Sequence, residues 1–274
     1  MPSSSNTSEI IYSRSELFSL NGQVSIVMGG SGDIGRTIAS AFAVNGSHVV
    51  IGGTSPEKLQ SAKMRILELL EKEGVSGPQI ETRSFDIRDE KAVEALAEDV
   101  FKEYGRIDVL VNAHGTNVRM PTVDYPLETW ERVVDVNLKG TYIACRAVGK
   151  FMIKQGHGKI INISSTAAPS GYKWGYPAYS PSKAGIDALT RTLAVEWGKH
   201  GINVNSIAPY MVLTSLTSKF LQDPNVSSDV LHDIPLGRIG NLGDLVGVAL
   251  FLSSGASQWM TGQVVYVDGG YMAH

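Results

Sequence analysis

The chain has 274 residues, 43% of them hydrophobic, and a formal net charge of −3. That composition supports one large core or two small ones, and a near-neutral balance without a basic block excludes nucleic acid or an anionic membrane as an evident partner. The single cysteine, Cys145, excludes an internal disulfide framework and suits a reducing compartment. No apolar run approaches the roughly 20 residues of a bilayer span.

The opening "MPSSSNTSEI" has neither the basic nor the apolar region of a secretory signal. Residues 1–19 are therefore expected to form a short flexible tail, and a cytoplasmic placement is expected. From residue 20 to 274 β-branched runs alternate with helical stretches. The runs are 24–28, 48–51, 80–85, 108–113, 159–164, 202–207 and 263–268. Between them lie segments with apolar spacing of three and four, such as "PEKLQSAKMRILELLEKEG" and "EKAVEALAEDVFKEYG". In the second, Val93, Leu96, Val100 and Phe101 share one face while Glu94, Glu98 and Lys102 share the other. Strand and helix repeating about six times predict a single α/β domain of the doubly wound Rossmann type, with a seven-stranded parallel sheet and helices on both faces. Two stretches, 165–177 and 209–240, are too long for simple crossovers. Both follow strands, so both are expected over the carboxyl edge as pocket walls or lids.

"IVMGGSGDIGR" follows the first strand and opens a helix, the context a dinucleotide fingerprint requires. Gly29, Ser31, Gly32, Asp33, Ile34 and Gly35 are the candidate phosphate-side residues. Asp33 introduces a carboxylate there, and it is expected to serve as N-cap of the helix beginning near Ile34. At the end of the second strand, "HVVIGGTSPEKL" lacks the carboxylate that marks an NAD-selective ribose site. Thr54 and Ser55 offer hydroxyl donors instead, which favours NADP over NAD, although no arginine accompanies them.

"YSPSK" places Tyr179 and Lys183 four apart on one helix face, with Pro181 in the first turn. A tyrosine with a pKa near 10 is a poor acid or base at neutral pH, and a neighbouring ammonium is expected to draw it toward the working range. Ser164 and Ser165 end the preceding strand, and Asn137 lies in "VVDVNLKG". Together these form a constellation rather than isolated residues.

On these residues the chain resembles the short-chain dehydrogenase/reductase family from about residue 20 to 270. The markers are "GGSGDIG", "FDIRD", "VNAHG", "VNLKG", "INISS", "YSPSK", "VNSIAP" and "VDGG". The resemblance implies that Ser165 orients the substrate oxygen, Tyr179 exchanges its proton, Lys183 holds the cofactor ribose and lowers the tyrosine pKa, and Asn137 completes a water relay. It further implies that Asp86 and the adjacent Ile87 meet the adenine, that Asn112 and Gly115 support the cofactor side of the sheet, and that Pro209 and Thr214 lie at the nicotinamide end. Departures from the family pattern are Met28, Asp33, Ala113, His114 and Tyr210. His114 is expected to be packed rather than basic in the reaction.

Within the family, "FSLNGQ" and "NVRMPTVDYPLETWERVVDVN" are similar to gluconate 5-dehydrogenases and related sugar-acid or polyol dehydrogenases. That implies hydride transfer between NAD(P) and a secondary alcohol or ketone. Arg119 is the candidate for a substrate carboxylate, with Tyr172 and Lys173 on the opposite wall. Two other readings stay open: a 3-oxoacyl thioester reductase, for which Lys150, Lys154 and Lys159 are the available basic residues, and a nucleotide-binding protein without activity. No metal site is expected. The helices spanning 128–156 and 178–200 carry more apolar surface than one sheet face covers, and the family resemblance adds a homotetramer or homodimer.

Overall fold

A computed structural model describes residues 17–172 and 175–273. Seven strands, β1 (Val24–Met28), β2 (His48–Gly53), β3 (Ile80–Ser84), β4 (Val109–Asn112), β5 (Gly158–Ile163), β6 (Ile202–Pro209) and β7 (Val264–Val267), form one parallel sheet in the order β3-β2-β1-β4-β5-β6-β7. Alternate side chains of a strand serve opposite faces. Val24, Ile26 and Met28 of β1 pack against helices α3 (Glu90–Tyr104), α5 (Gly140–Gln155) and α6 (Tyr179–Trp197). Val27 packs against α1 (Asp33–Val44), α2 (Pro56–Lys72) and α9 (Val246–Ser253). Both faces are covered, which is why the strands read as continuous apolar runs.

The helices start and stop where side-chain chemistry dictates. Ser55 caps α2 by accepting from the Lys58 amide, with Pro56 at the first helical position. Asp89 caps α3 by accepting from Ala92, and Gly105 ends it in the left-handed region at φ 72°. Between α4 (Leu127–Val134) and α5 the chain makes one π turn, Asp135–Lys139.

The strand order reverses between β1 and β4, so the crevice of this sheet opens at their carboxyl ends. The long segment after β6 is not structureless. Its base is closed by the Val212–Gly240 bridge, and it carries α7 (Ser218–Leu221) and α8 (Pro224–His232) over a small core of Tyr210, Met211, Val230 and Ile234. Residues 1–16 of the expected tail lie outside the described residues, whereas Leu20 is fully buried.

Candidate active site

Three adjoining spaces follow the carboxyl edge. A groove of about 330 Å³ is lined by Gly29, Gly53, Thr54, Asp86, Ile87 and Gly115 among others. It shares His114, Gly115 and Thr116 with a cleft of about 160 Å³ that holds Ile34, Ser165, Tyr179, Lys183, Pro209 and Thr214. Beyond Tyr179 a smaller cavity of about 70 Å³ is walled by Asn117, Arg119, Tyr172, Tyr176 and Tyr210.

The groove fits a dinucleotide. Gly29 has φ 76°, and a Cβ on it would stand 2.6 Å from the His114 amide nitrogen. A Cβ on Gly35 would meet the Gly29 carbonyl. Glycine is thus required twice for the turn to close against β4 and against its own helix. Helix α1 has Gly32 as N-cap and no side-chain cap, so its first-turn N–H groups and partial positive charge remain for a phosphate.

Asp33 does not behave as expected: it is the first residue of α1, not its cap. One carboxylate oxygen accepts from the Ser215 amide at 2.7 Å and the other from Arg36 Nη2 at 3.3 Å. Partial burial opposes its charge, but the bonds from Ser215 and Arg36 outweigh burial and hold the carboxyl below its ordinary value. The carboxylate is taken instead by a loop the local sequence does not contain. Asp86 lines the groove while Arg88 grips it at 2.6 Å, and these hydrogen bonds lower its pKa. The side chain of Asn112 turns into the protein, donating to Asn162 Oδ1 at 2.9 Å and to Cys145 Sγ at 3.3 Å. Its part is to tie β4 to β5 and α5. The Ser55 hydroxyl is committed to capping α2 and to Glu57 Oε2 at 2.8 Å, and it does not line the groove.

In the cleft, β5 delivers Ser165 and the first turn of α6 delivers Tyr179 and Lys183. Lys183 Nζ donates to the Ile163 carbonyl at 2.6 Å and stands 5.6 Å from the Tyr179 ring centroid. Burial is the larger influence on the pair. It pushes the phenol up to about 12, against a hydrogen bond with Ser165 that lowers it. It also pushes the ammonium down to about 8, against the Asp187 carboxylate. The expected lowering of the phenol is therefore reversed in this state, because desolvation of a phenolate exceeds the favourable charges around it. The site rests with a protonated tyrosine, ready to donate.

Asn137 sits in the π turn, a distortion often found at functional positions. Its Oδ1 accepts from the Thr116 amide at 2.8 Å, and its Nδ2 donates to the Thr116 carbonyl at 3.0 Å and to Ser182 Oγ at 3.0 Å. The strand-β4 exit passes between it and Lys183: a Cβ on Gly115 would stand 3.5 Å from Asn137 Oδ1 and 3.7 Å from Lys183 Nζ. His114 packs beneath this junction with Nε2 3.3 Å from Thr141 Oγ1, and burial pushes its pKa down to about 3, so the ring is neutral.

Arg119 projects into the small cavity. Its Nε donates to Tyr176 Oη at 2.7 Å, and its guanidinium carbon lies 3.7 Å from the Phe220 ring centroid. Among the described residues no carboxylate pairs with it. Tyr210 and Tyr271 stack at 3.9 Å, and Tyr172 meets Tyr176 and Tyr210 edge-on at 5.4 and 6.0 Å. The Tyr172 hydroxyl is bonded to Thr166. Lys173 lies outside the described residues. Thr116 and Phe220 escape sequence reasoning: their roles arise only when β4, α5 and the 209–240 segment converge.

A buried tyrosine with a serine partner and a neighbouring ammonium, placed beside a glycine turn and an uncapped helix, is an arrangement suited to acid–base work next to a nucleotide. A family model described as Enoyl-(Acyl carrier protein) reductase matches residues 30–272. The chain belongs to the short-chain dehydrogenase/reductase family. This member is an NAD(P)-dependent oxidoreductase. It is 38% identical over 258 residues to the 2-dehydro-3-deoxy-D-gluconate 5-dehydrogenase of Bacillus subtilis (strain 168), covering 94% of this chain and 98% of that one. It is 36% identical over 251 residues to a 3-oxoacyl-(acyl-carrier-protein) reductase of Thermotoga maritima, covering 92% and 98%. Among solved structures, a gluconate 5-dehydrogenase from Burkholderia cenocepacia J2315 in complex with NADP and tartrate superposes with TM-score 0.88 at 30% identity, covering 96% of this chain and 100% of that one.

Proposed function

We propose that this short-chain dehydrogenase/reductase transfers hydride between NAD(P) and a secondary alcohol or ketone of a sugar acid or polyol. The observation that carries the reading is one continuous cleft with Ser165, Tyr179 and Lys183 at its centre and an acid-free arginine, Arg119, at its far end. Likeness to sugar-acid dehydrogenases supports it. When bound, NAD(P) supplies or accepts the hydride. In the direction of reduction, Ser165 holds the substrate oxygen and Tyr179 gives its hydroxyl proton to that oxygen as the carbonyl becomes a carbinol. Lys183 steadies the resulting phenolate by its charge, and Asn137 fixes the loop after β4 so that the proton can be replaced from solvent. Arg119 presents its outer nitrogens to the substrate carboxylate, a match of planar fork to planar anion.

Tyr179→Phe keeps the ring but removes the proton. Reduction of 5-ketogluconate is expected to fall by about 10²–10⁴-fold, with NADPH binding by fluorescence nearly unchanged; wild-type turnover in this variant sinks the assignment. Among the described residues, the three lysines available to the thioester reading are all engaged elsewhere. Lys150 is paired with Glu94 at 2.7 Å, Lys154 lies against Phe101, and Lys159 is turned to Asn203, all toward the amino-terminal edge of the sheet.

The reading extends to assembly and place. Val195, Trp259 and Tyr266 are exposed apolar side chains around the outer part of α6 and β7, and Tyr142 is exposed on α5. A homotetramer built through these faces is the assembly we propose, and a cytoplasmic setting suits the lone reduced thiol. Among the described residues no helix is long and apolar enough to cross a membrane.

A further inference from the structure

Among the described residues only three aspartate, glutamate, lysine or arginine side chains are buried: Asp108, Lys183 and Asp187. Asp108 is answered on every side, by the Val24 amide, by Arg106 Nε and Nη2 and by His157. Lys183 serves the cleft. Asp187 belongs to neither account. It is 6% exposed on the buried side of α6, and its Oδ1 is enclosed without a hydrogen-bond partner. Among the described residues no cation stands within ion-pair distance of it. A buried carboxylate left this open costs the fold stability and calls for a reason.

Its place on the helix supplies one. Tyr179, Lys183 and Asp187 follow each other at intervals of four residues along α6, so they share one face, and the carboxylate stands one turn, roughly 6 Å along the axis, below the lysine. Lys183 is 3% exposed, and its Nζ donates to the Ile163 carbonyl at 2.6 Å. Burial favours loss of its proton, and Asp187 is the charge that acts against that loss. The other titratable groups facing Lys183 bring no negative charge. Tyr179 rests as a neutral phenol, and His114, entering from the exit of β4, is neutral as well. Around the carboxylate itself lie Arg191, one turn further along α6, and Tyr266 of β7. Burial raises the Asp187 pKa, while the Ser164 hydroxyl, Arg191 and Lys183 favour its charged form.

We propose that Asp187 is a positioning residue for hydride transfer: from one turn below, its carboxylate holds the Lys183 side chain in the cationic form that a Tyr179 phenolate requires beside it. The fold gives up stability to keep that carboxylate in its interior. The proposal rests on the reading of Tyr179 and Lys183 given above.

The test uses the full chain with Asp187→Asn, Asp187→Leu and Asp187→Glu. Lysines labelled with carbon-13 at Cε report the titration of Lys183 by NMR without any substrate, its signal being the one lost in Lys183→Met. The wild-type midpoint is expected at about 8. Asparagine and leucine should lower it by about one unit, and glutamate should restore it. The fall of kcat/KM for 5-ketogluconate reduction with rising pH should move down with the lysine midpoint, while the plateau at lower pH is retained. Urea melts near neutral pH should find the asparagine or the leucine variant at least as stable as wild type, because a buried charge has been removed. Equal lysine midpoints overturn the proposal. Activity lost evenly at every pH, or a fold weakened in both neutral variants, also overturns it and makes Asp187 a packing residue. A midpoint that shifts in a protein that reduces no keto sugar acid and no ketose leaves the charge coupling in place; it refutes the hydride-transfer reading, and with it the part of Asp187 in that reaction.

Discussion

Replacing Arg119 by methionine removes a guanidinium but leaves an unbranched side chain to fill the space beside Phe220 and Tyr176. In the free protein the Nε of Arg119 is used by Tyr176, and among the described residues no acid competes for the rest of the fork. A substrate carboxylate would gain two charge-assisted bonds there. Such bonds contribute about 1.5–3 kcal/mol each; because the group is only partly buried, we take about 3 kcal/mol for the pair, or roughly 10²-fold in kcat/KM. The assay compares kcat/KM for 5-ketogluconate with that for an uncharged ketose of the same carbon count, in wild type, Arg119→Met and Arg119→Lys. The loss is expected only on the acid and mostly in KM, with the lysine variant intermediate because it keeps charge without the fork. Equal losses on both substrates, or none on the acid, refute the reasoning and make Arg119 a packing residue of the loop.

Two further outcomes follow from burial. Lys183 titrates at about 8 in the folded protein against 10.5 for a free lysine, so kcat/KM for ketone reduction is expected to decline as pH rises through about 8 and the ammonium is lost. Between those two values the unfolded chain binds more protons than the folded one, so stability should rise with pH across that window. Urea melts at several pH values should show the rise in wild type and a flatter profile in Lys183→Met. Cys145 is enclosed in the core with its thiol pushed up to about 12 by burial. It should ignore a chromogenic disulfide reagent in buffer and react in full in denaturant; rapid labelling of the native protein would contradict the packing of α5 on the sheet.

The sheet was legible because strands buried on both faces have a signature that survives without context: short β-branched runs at regular distances. Even so, β6 runs to Pro209, two residues beyond the apolar run that marks it, because its last pairs are set by β7. Tyr179 and Lys183 were legible for the same local reason, a fixed spacing on one helix. The π turn around Asn137 was not, since one inserted residue barely alters a helical pattern. Asp33 shows the limit most clearly. Its neighbours in sequence argue for a cap, and its partner lies 182 positions away. The tyrosine wall of Tyr172, Tyr210 and Tyr271 is assembled from three distant segments.

The bond from Ser215 to Asp33 has a consequence for how two ligands share one enzyme. It joins the turn on which a pyrophosphate would rest to the segment that walls the small cavity beyond Tyr179. Whatever settles one end lowers the entropy lost in settling the other. Such coupling is reciprocal: a sugar acid that quiets residues 213–217 tightens the dinucleotide by the same factor by which the dinucleotide tightens the sugar acid. Binding is accordingly expected to be cooperative within a single chain, so a dissociation constant measured with either ligand alone should understate the grip of the ternary complex.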